Sequence, residues 1–201
     1  LAGGLVAIGG AGAGASSPNR IRTLIRTFID GDQPAESDIH GIRAASLSLL
    51  ADDDSTIAAT TGSAALAATM GLVSGAVGVG VGVAKNEIAN EVEAYIKDAG
   101  SVQASGDIGI SLHATEAAVI KSTAVAASDV LGGGYGSLSL SGAGADAVNI
   151  IQTRTLAYID NSSLDSEGGI EVSSVDSSTI SAFVSTAADA TGGAVYSDSV
   201  A

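Results

Sequence analysis

The chain of 201 residues contains no cysteine, no tryptophan and only two prolines. The absence of cysteine excludes a disulfide-stapled small domain and a zinc ribbon, and the scarcity of proline excludes a collagen-like or proline-rich filament. Basic residues are also few, because eight Lys and Arg stand against 22 Asp and Glu and leave a formal net charge of −14. Since binding a phosphate backbone needs clustered positive charge, we expect no nucleic-acid partner.

Small residues take the place of the missing types, with 37 Ala, 27 Ser and 27 Gly. An acidic, serine-rich chain is often disordered. Here hydrophobic residues make up 46% of the sequence, so we expect a folded chain whose core is built from small side chains.

A membrane helix is the first alternative to weigh, because the longest uncharged stretch runs from Asp54 to Lys85 and places Gly71 and Gly75 at the GxxxG spacing. Within that stretch, residues 77–83 read Val-Gly-Val-Gly-Val-Gly-Val, an alternation that helix propensity disfavours and a strand favours. We therefore expect no transmembrane segment. Residues 1–15 are apolar but have no basic region before them, so they do not indicate a signal peptide.

The chain repeats itself, and the clearest markers are an asparagine and an aromatic-isoleucine triplet. Asn86 and Ala94-Tyr95-Ile96 recur 63 positions later as Asn149 and Ala157-Tyr158-Ile159. Asn19 and Thr27-Phe28-Ile29 precede the middle set by 67 positions, with the same eight-residue step from asparagine to triplet. Three degenerate repeats of roughly 63 residues follow from this spacing. Their approximate ranges are 1–66, 67–131 and 132–201, with a polar insertion near 30–46 in the first.

The later parts of the repeats align less evenly. Ile108 and Ile110 match Ile170 and Val172 at a shift of 62. Leu47, Leu49 and Ser55-Thr56-Ile57 match Ile170, Val172 and Ser178-Thr179-Ile180 at a shift of 123. The alignment therefore predicts that these hydrophobic residues stack from repeat to repeat.

Each repeat opens with a lead-in segment in which Gly or Ala alternates with a second residue. The lead-in segments are residues 5–17, 75–85 and 137–148. Period-two alternation predicts strands. Residues 86–97 have helical character, with Ile88 and Val92 one turn apart, but the counterpart 149–160 is rich in β-formers, so we expect strands in both.

Short strands with recurring Ile and Val indicate an all-β fold, a β-solenoid that forms one segment over residues 1–201. In such a fold Ile and Val stack on their equivalents inside, while Ser, Thr and Asp occupy the outward alternate positions. No capping sequence is visible at either end, so we expect a segment of something longer.

The motifs Gly-Val-Gly-Val-Ala-x-Asn-x-Ile, Ala-Tyr-Ile, Val-x-Ala-x-Gly-x-Ile-x-Ile and Ser-Thr-Ile-x-Ala resemble the repeats of very large secreted bacterial surface proteins, such as filamentous-haemagglutinin-like and leukotoxin-like adhesins. The resemblance covers nearly all of the chain. It implies a right-handed parallel β-helix, secreted or at the bacterial cell surface, that acts as a stalk, adhesin or matrix fibre. Its partners would be neighbouring repeats or copies of itself, end to end or lateral, and host-cell or matrix glycans. The resemblance brings no catalytic residues.

Aspartates at predicted turns are the candidate metal ligands, because hard carboxylate oxygens at turns can hold Ca²⁺. The candidates are Asp30, Asp32, Asp52, Asp53, Asp54 and Asp146. Asp146 also lies in 142–148, which matches the Gly-x-Gly-x-Asp-x-Val core of the calcium-binding nonapeptide roll, although no tandem copy follows. Two interpretations stay open: a bound structural Ca²⁺, and solvated carboxylates that keep stacked sheets from aggregating. The sequence favours the second, and no other cofactor is indicated.

An enzyme is the main alternative to a structural role. The chain has no Gly-x-Ser-x-Gly, His-Glu-x-x-His or Gly-Lys-Ser/Thr motif, and we expect its two histidines, His40 and His113, to be solvated. A carbohydrate-active enzyme of the polysaccharide-lyase type would need a groove of convergent Asp, Lys or Arg residues. Four of the five arginines fall in the first repeat and mark its candidate cleft: Arg20, Arg22, Arg26 and Arg43. An ice-binding solenoid ranks last, since Thr153-Arg154-Thr155 lacks matching threonines apart from Thr23. We expect a protein that is not an enzyme.

Overall fold

The computed structural model describes residues 1–33 and 41–201, and for residues 32 and 33 the backbone alone. The described chain is all-β, as predicted. Its strands are β1 (Ala2–Gln33), β2 (Ile42–Asp53), β3 (Thr56–Glu116), β4 (Val119–Ser166), β5 (Ile170–Asp176) and β6 (Thr179–Val200). Residues 77–83 and 86–97 both belong to β3, so the strand interpretation of these stretches is confirmed. Across the described ranges, no helix is both long and apolar enough to pass through a membrane.

All strand pairs are parallel and belong to one sheet. The order β1-β3-β4-β6 is joined by hydrogen bonds, and β2 and β5 both pair with β3. The register places Asn19 beside Asn86 and Asn86 beside Asn149, as the sequence alignment predicts. The chain therefore returns to its own side after each repeat, with equivalent residues as neighbours.

The alignment of the later parts is confirmed in one place and wrong in another. Ile57 pairs with Ile120, which pairs with Ile180, and this chain of partners agrees with the predicted shift of 123. Ile108, however, does not pair with Ile170, because Ile110 occupies that position. The register between β2 and β3 shifts here, because Ala44 pairs with Ala104 but Ser46 pairs with Gly109. The extra residues of β3 project outward there, and the Ile108 side chain is 82% exposed.

The long strands fold back on themselves. A straight strand of 61 residues would span roughly 200 Å, yet within β3 the hydroxyl of Thr61 lies 3.4 Å from the carbonyl oxygen of Val83, to which it donates. Two walls therefore face each other. The front wall consists of residues 2–30, 71–97 and 134–160, and the back wall of residues 42–70, 102–133 and 170–193.

The corner after the front wall uses residues that tolerate left-handed backbone. Asp98 and Asn161 occupy equivalent positions in two repeats and have φ angles of 47° and 42°. Asp and Asn adopt this conformation more readily than other non-glycine residues. The Asn161 amide donates to the Asp98 carboxylate at 2.6 Å, so successive corners are tied together.

The core is a row of clusters between the walls and not one central mass. Where the front wall carries isoleucine on its inner side, Ile88 packs with Ile57 and Ile120, and Ile96 packs with Val102 and other buried residues. Ile88, Ile96 and Ile120 are all fully buried. The stacked isoleucine interior is thus present along half of the front wall.

The lead-in segments have the opposite arrangement from the one expected. Gly78, Gly80 and Gly82 face inward, while Val77, Val79 and Val81 face outward, with exposed fractions of 45%, 47% and 43%. The reason is steric, because a Cβ at Gly82 would lie 2.7 Å from the Val125 carbonyl oxygen of the opposite wall. The opposite backbone leaves no room for a side chain at Gly82, and its register neighbours in the flanking repeats are only alanines, Ala15 and Ala145. The expectation of Ser, Thr and Asp on the outside is therefore wrong for this part.

Candidate functional site

A ladder of asparagine amides runs through the interior along the stacking direction. Asn19 donates to Asn86 at 2.9 Å, and Asn86 donates to Asn149 at 2.8 Å. Asn149 in turn donates to the hydroxyl of Ser122 on the back wall at 2.8 Å. Asn86 is 3% exposed, so its amide is removed from water and satisfied by its equivalents in the neighbouring repeats. The ladder fixes the register, since a slip by one residue would turn every amide to the other face.

A column of aromatic rings stands on the outer side of the front wall. The ring of Phe28 stacks on Tyr95 with a centroid distance of 5.1 Å and an interplanar angle of 9°, and Tyr95 stacks on Tyr158 at 4.9 Å and 8°. These distances match the spacing of neighbouring strands. Desolvation in the stack, followed by the nearby Glu93 charge, raises the pKa of Tyr158 above its ordinary value.

Ion pairs join the same outer surfaces of the three repeats. Glutamates of the middle repeat lie between arginines of the repeats on either side. The shortest pairs are Arg20–Glu87 at 2.6 Å, Arg26–Glu93 at 2.7 Å and Arg154–Glu91 at 2.7 Å. A hydrogen bond with Glu93, and after it the charges of Arg154 and Arg26, outweigh desolvation and hold the pKa of Glu91 below its ordinary value. Arg20–Glu87 and Arg154–Glu91 are partly exposed, and pairs of that kind stabilise by about 0–1 kcal/mol each, so we assign them to register more than to stability. The Glu93 side chain is only 6% exposed, so its pairing with Arg26 also offsets the cost of burying a carboxylate.

A column of carboxylates lies in the middle of the back wall, where β2, β3 and β5 end. Asp53 pairs in register with Glu116, and Glu116 with Asp176. Asp53 is 4% exposed and Glu116 fully buried, and one oxygen of each has no hydrogen-bond partner among the described residues. The other Glu116 oxygen accepts a hydrogen bond from Asn90 at 3.2 Å.

The pKa values of Glu116 and Asp176 in this column are shifted in opposite directions. Desolvation, helped by the charges of Asp53, Asp176 and Asp52, raises the pKa of Glu116 above its ordinary value. Desolvation also acts to raise the pKa of Asp176, but hydrogen bonds from Ser178 and Thr153 outweigh it and lower that pKa. Glu116 therefore holds a proton more readily than Asp176 does.

The predicted metal ligands are scattered, and their predicted position at turns is wrong for all but Asp54, because the others lie within β1, β2 and β4. Asp30 lies exposed beside Lys97, and Asp146 lies exposed beside Val83. Asp52 and Asp54 point outward on either side of the buried Asp53, and the side chain of Asp32 lies outside the described residues. In the described ranges, no three His, Asp or Glu side chains converge in a way that could hold a metal ion. The calcium hypothesis stays a prediction.

The arginines of the candidate cleft lie on two different surfaces. Arg20, Arg22 and Arg26 are on the outer side of the front wall, and Arg43 is on the outer side of the back wall. The front-wall surface has an open depression of about 490 Å³ that includes Arg22 and Arg154. His113 lies half-buried, with Nε2 4.0 Å from a Glu171 carboxylate oxygen, and His40 lies outside the described residues.

Glu116 and Asp176 are the two members of the carboxylate column that sequence reasoning missed. The signal was present, because the shift of 123 that aligns Leu47 with Ile170 also aligns Asp53 with Asp176. The asparagines were aligned correctly, but the alignment did not reveal that their amides bond to one another inside the molecule.

With the geometry described, comparison with known proteins adds no relative: no protein-family model, no curated protein and no solved structure shows significant similarity to the chain.

Proposed function

We propose that the chain is a segment of a right-handed parallel β-helix that serves as a structural or adhesive repeat in a large extracellular bacterial surface or matrix fibre. The observation that supports this proposal is the stacking of three consecutive repeats in parallel register, with Asn on Asn and aromatic on aromatic. Such stacking can continue in both directions without a change of geometry. Function then depends on shape and stiffness.

The dimensions favour a broad ribbon over a thin rod. Each repeat adds one strand spacing, about 4.8 Å, along the axis, while a front wall of 27 residues, 71–97, extends about 90 Å across it. A fibre of useful length therefore needs many repeats, supplied by a long chain or by copies stacked end to end. Backbone hydrogen bonds along the axis, the asparagine ladder and the aromatic column all oppose bending between repeats.

The surface chemistry is consistent with an exposed fibre. The net charge of −14 keeps ribbons soluble and repels nucleic acid. Host-cell or matrix glycans are the external ligands that we propose, on the basis of the resemblance to surface adhesins. The alternative of a carbohydrate-active enzyme requires a convergent groove, and we favour it less because the first-repeat arginines are divided between two surfaces.

Electron microscopy of the native full-length protein at neutral pH, without chelator, tests the proposal. We expect ribbons of constant width, near 90 Å, with an axial repeat near 4.8 Å. Compact globular particles would contradict the structural role, and the surface around Arg22 and Arg154 would then be the place to look for an active site.

A further inference from the structure

The outer side of the three lead-in segments forms one flat apolar surface, here called the valine face. Val77, Val79 and Val81 form a ridge along its middle strand. Other large exposed hydrophobic side chains extend it toward the start of each repeat: Val6, Ile8, Val73, Leu138 and Leu140. No charged residue occurs in 5–17 or 71–84, and the equivalent stretch 134–147 has one, Asp146, which lies exposed beside Val83 at the edge of the face. An apolar surface of this kind in a strongly acidic chain is typical of an interaction site.

Glycines flank the valine ridge on both sides. Val79 has Gly12 and Gly142 as its register partners, and Val81 has Gly14 and Gly144. Grooves of bare backbone therefore border Val79 and Val81 on both sides, whereas Val77 has Gly10 on one side and Leu140 on the other.

Nothing inside the chain requires glycine at these groove positions. A Cβ added at Gly12, Gly142 or Gly144 would meet no atom within 4 Å, and none of the three has a positive φ. Glycine weakens a strand relative to residues with side chains. The inward Gly78 differs, because a Cβ there would lie 2.7 Å from both Ser128 and Val130. The outward glycines leave room for something outside the chain.

We propose that the valine face binds the valine face of a second copy of this chain, with the ridge of each copy in a glycine groove of the other. Ridge and groove lie one strand apart on the same surface, so a displacement of about 4.8 Å makes two identical faces complementary. A face whose one charged residue, Asp146, lies at its edge does not favour a charged partner, and close approach of flat glycine-lined sheets excludes water well.

The size of the face sets how tightly two copies of this chain can pair. Fourteen residues of each front-wall strand, 71–84 in the middle repeat, extend about 45 Å, and displacement by one strand leaves two of the three strands, about 10 Å, in contact. Pairing therefore covers about 430 Å² on each copy, about 860 Å² in total, which is the size of a weak, reversible interface, and each further stacked repeat would enlarge it. The inference rests on the proposed function and deepens it, because it names the surface through which ribbons associate laterally.

Filling the grooves tests the interface. In the double variant Gly12→Val, Gly142→Val, two new side chains stand beside Val79, where they have space within the chain but block the partner ridge. The control is Gly62→Val, because Gly62 also has no atom within 4 Å of an added Cβ but lies on the outer side of the back wall. By sedimentation equilibrium of the 201-residue chain, we expect dimers for the wild type and the control, and at least a tenfold rise in the dimer Kd for the groove variant.

A monomeric wild type, an unchanged Kd in the groove variant, or an equal rise in the control would each overturn the inference. If circular dichroism shows that the groove variant is unfolded, Val79→Thr replaces it. This change keeps the size and β-propensity of the side chain and places a hydroxyl on the ridge. A several-fold rise in Kd supports the interface, and an unchanged Kd contradicts it.

Two further outcomes separate this inference from the proposed function. Ribbons that form but do not pair through their faces would overturn the inference and leave the structural role intact, whereas particles that form no ribbon would overturn the proposed function. A monomer that binds phosphatidylcholine vesicles through Val79, and loses that binding in Val79→Thr, would assign the face to a lipid surface and overturn the pairing of two copies.

Discussion

At the scale of single residues, the inner side of the front wall shows how a small polar group can specify a stacked fold. The Asn86 side chain accepts a hydrogen bond from one equivalent residue and donates to the next, inside an interior closed to water. Buried amides of this kind are costly to leave unpaired. Each repeat therefore stabilises the register of both its neighbours.

Asn86→Ala breaks the ladder at its middle. The substitution leaves the Asn19 amide without its acceptor and the Asn149 carbonyl without its donor, and we expect the free energy of unfolding to fall by about 1–3 kcal/mol. Urea denaturation monitored by circular dichroism measures the change. Gln152→Ala is the control, because it removes an amide from the exposed side of the adjacent strand, and we expect a change within about 0.5 kcal/mol. Equal losses in both variants would contradict a specific role for the ladder.

Glu116 makes stability depend on pH. Its pKa is raised in the folded protein by desolvation and by Asp53, Asp176 and Asp52, so the folded state holds the proton more tightly than the unfolded state. Its contribution is therefore fully present below the ordinary value of 4.5 and is lost as the pH rises through the raised folded pKa. Asp176, whose pKa is lowered, acts in a separate window, because its contribution is lost as the pH falls below 3.8.

Glu116→Gln removes the titrating group and keeps the shape of the side chain. We expect the urea concentration at the unfolding midpoint of the wild type to decrease as the pH is raised from about 4.5 to about 7. The midpoint of the variant should decrease less over the same range. Glu171→Gln serves as the control, since the Glu171 side chain is 71% exposed, and it should keep the wild-type decline. A variant with the same pH profile as the wild type would rule out Glu116 as the source.

At the scale of strands, the lead-in segments show the limit of pattern reading. Alternation of Val and Gly predicts a strand correctly, but it does not say which set of side chains faces inward. Hydrophobicity favours inward valines, and the structure has inward glycines because the opposite backbone approaches too closely, as at Gly82 and Val125. That approach depends on two lengths of chain more than 40 residues apart in sequence, which a local pattern does not contain.

The register between repeats could be predicted at the recurring asparagine and aromatic triplet. It could not be predicted after Asp98, where one repeat has extra residues. The asparagine and the aromatic triplet keep their eight-residue step, so their partners follow from the sequence. After the corner at Asp98 the repeats differ in length, and Ile108 and Ile110 are equally plausible partners for Ile170. The structure selects Ile110 because its side chain is buried and that of Ile108 is exposed. The carboxylate column was missed for a different reason, since alignment does not show burial.

Gly82→Ala tests the close approach of the walls. An inward methyl group would overlap the Val125 carbonyl, and we expect a loss of about 1–3 kcal/mol in the free energy of unfolding. The matched control is Gly62→Ala, whose new methyl group would meet no atom within 4 Å, and there we expect a change near zero or a small gain, because alanine restricts the unfolded chain. Guanidinium titrations of both variants give the comparison. A larger loss at Gly62 than at Gly82 would contradict the arrangement of the two walls.

At the scale of the whole molecule, stability depends on the balance between stacking and charge. Every repeat carries an excess of acidic residues, and parallel stacking places equivalent positions one strand spacing apart. Arginines of the first and third repeats offset the glutamates between them, but the net charge of −14 still opposes the compact state. Cations should therefore stabilise the fold by screening, whether or not they bind at a defined site.

A comparison of the Tm in CaCl₂ and in MgCl₂ distinguishes charge screening from specific binding of Ca²⁺. If the candidate aspartates hold no ion, CaCl₂ and MgCl₂ at equal ionic strength should raise the Tm by the same amount, because screening depends on ionic strength and not on the identity of the cation. A structural Ca²⁺ would instead raise the Tm well beyond Mg²⁺, since a bound ligand stabilises the folded state in proportion to its occupancy. Thermal unfolding after dialysis against EDTA, repeated with Asp53→Asn and Asp146→Asn, distinguishes the two. A Ca²⁺-specific rise that one of these variants abolishes would place an ion at that aspartate.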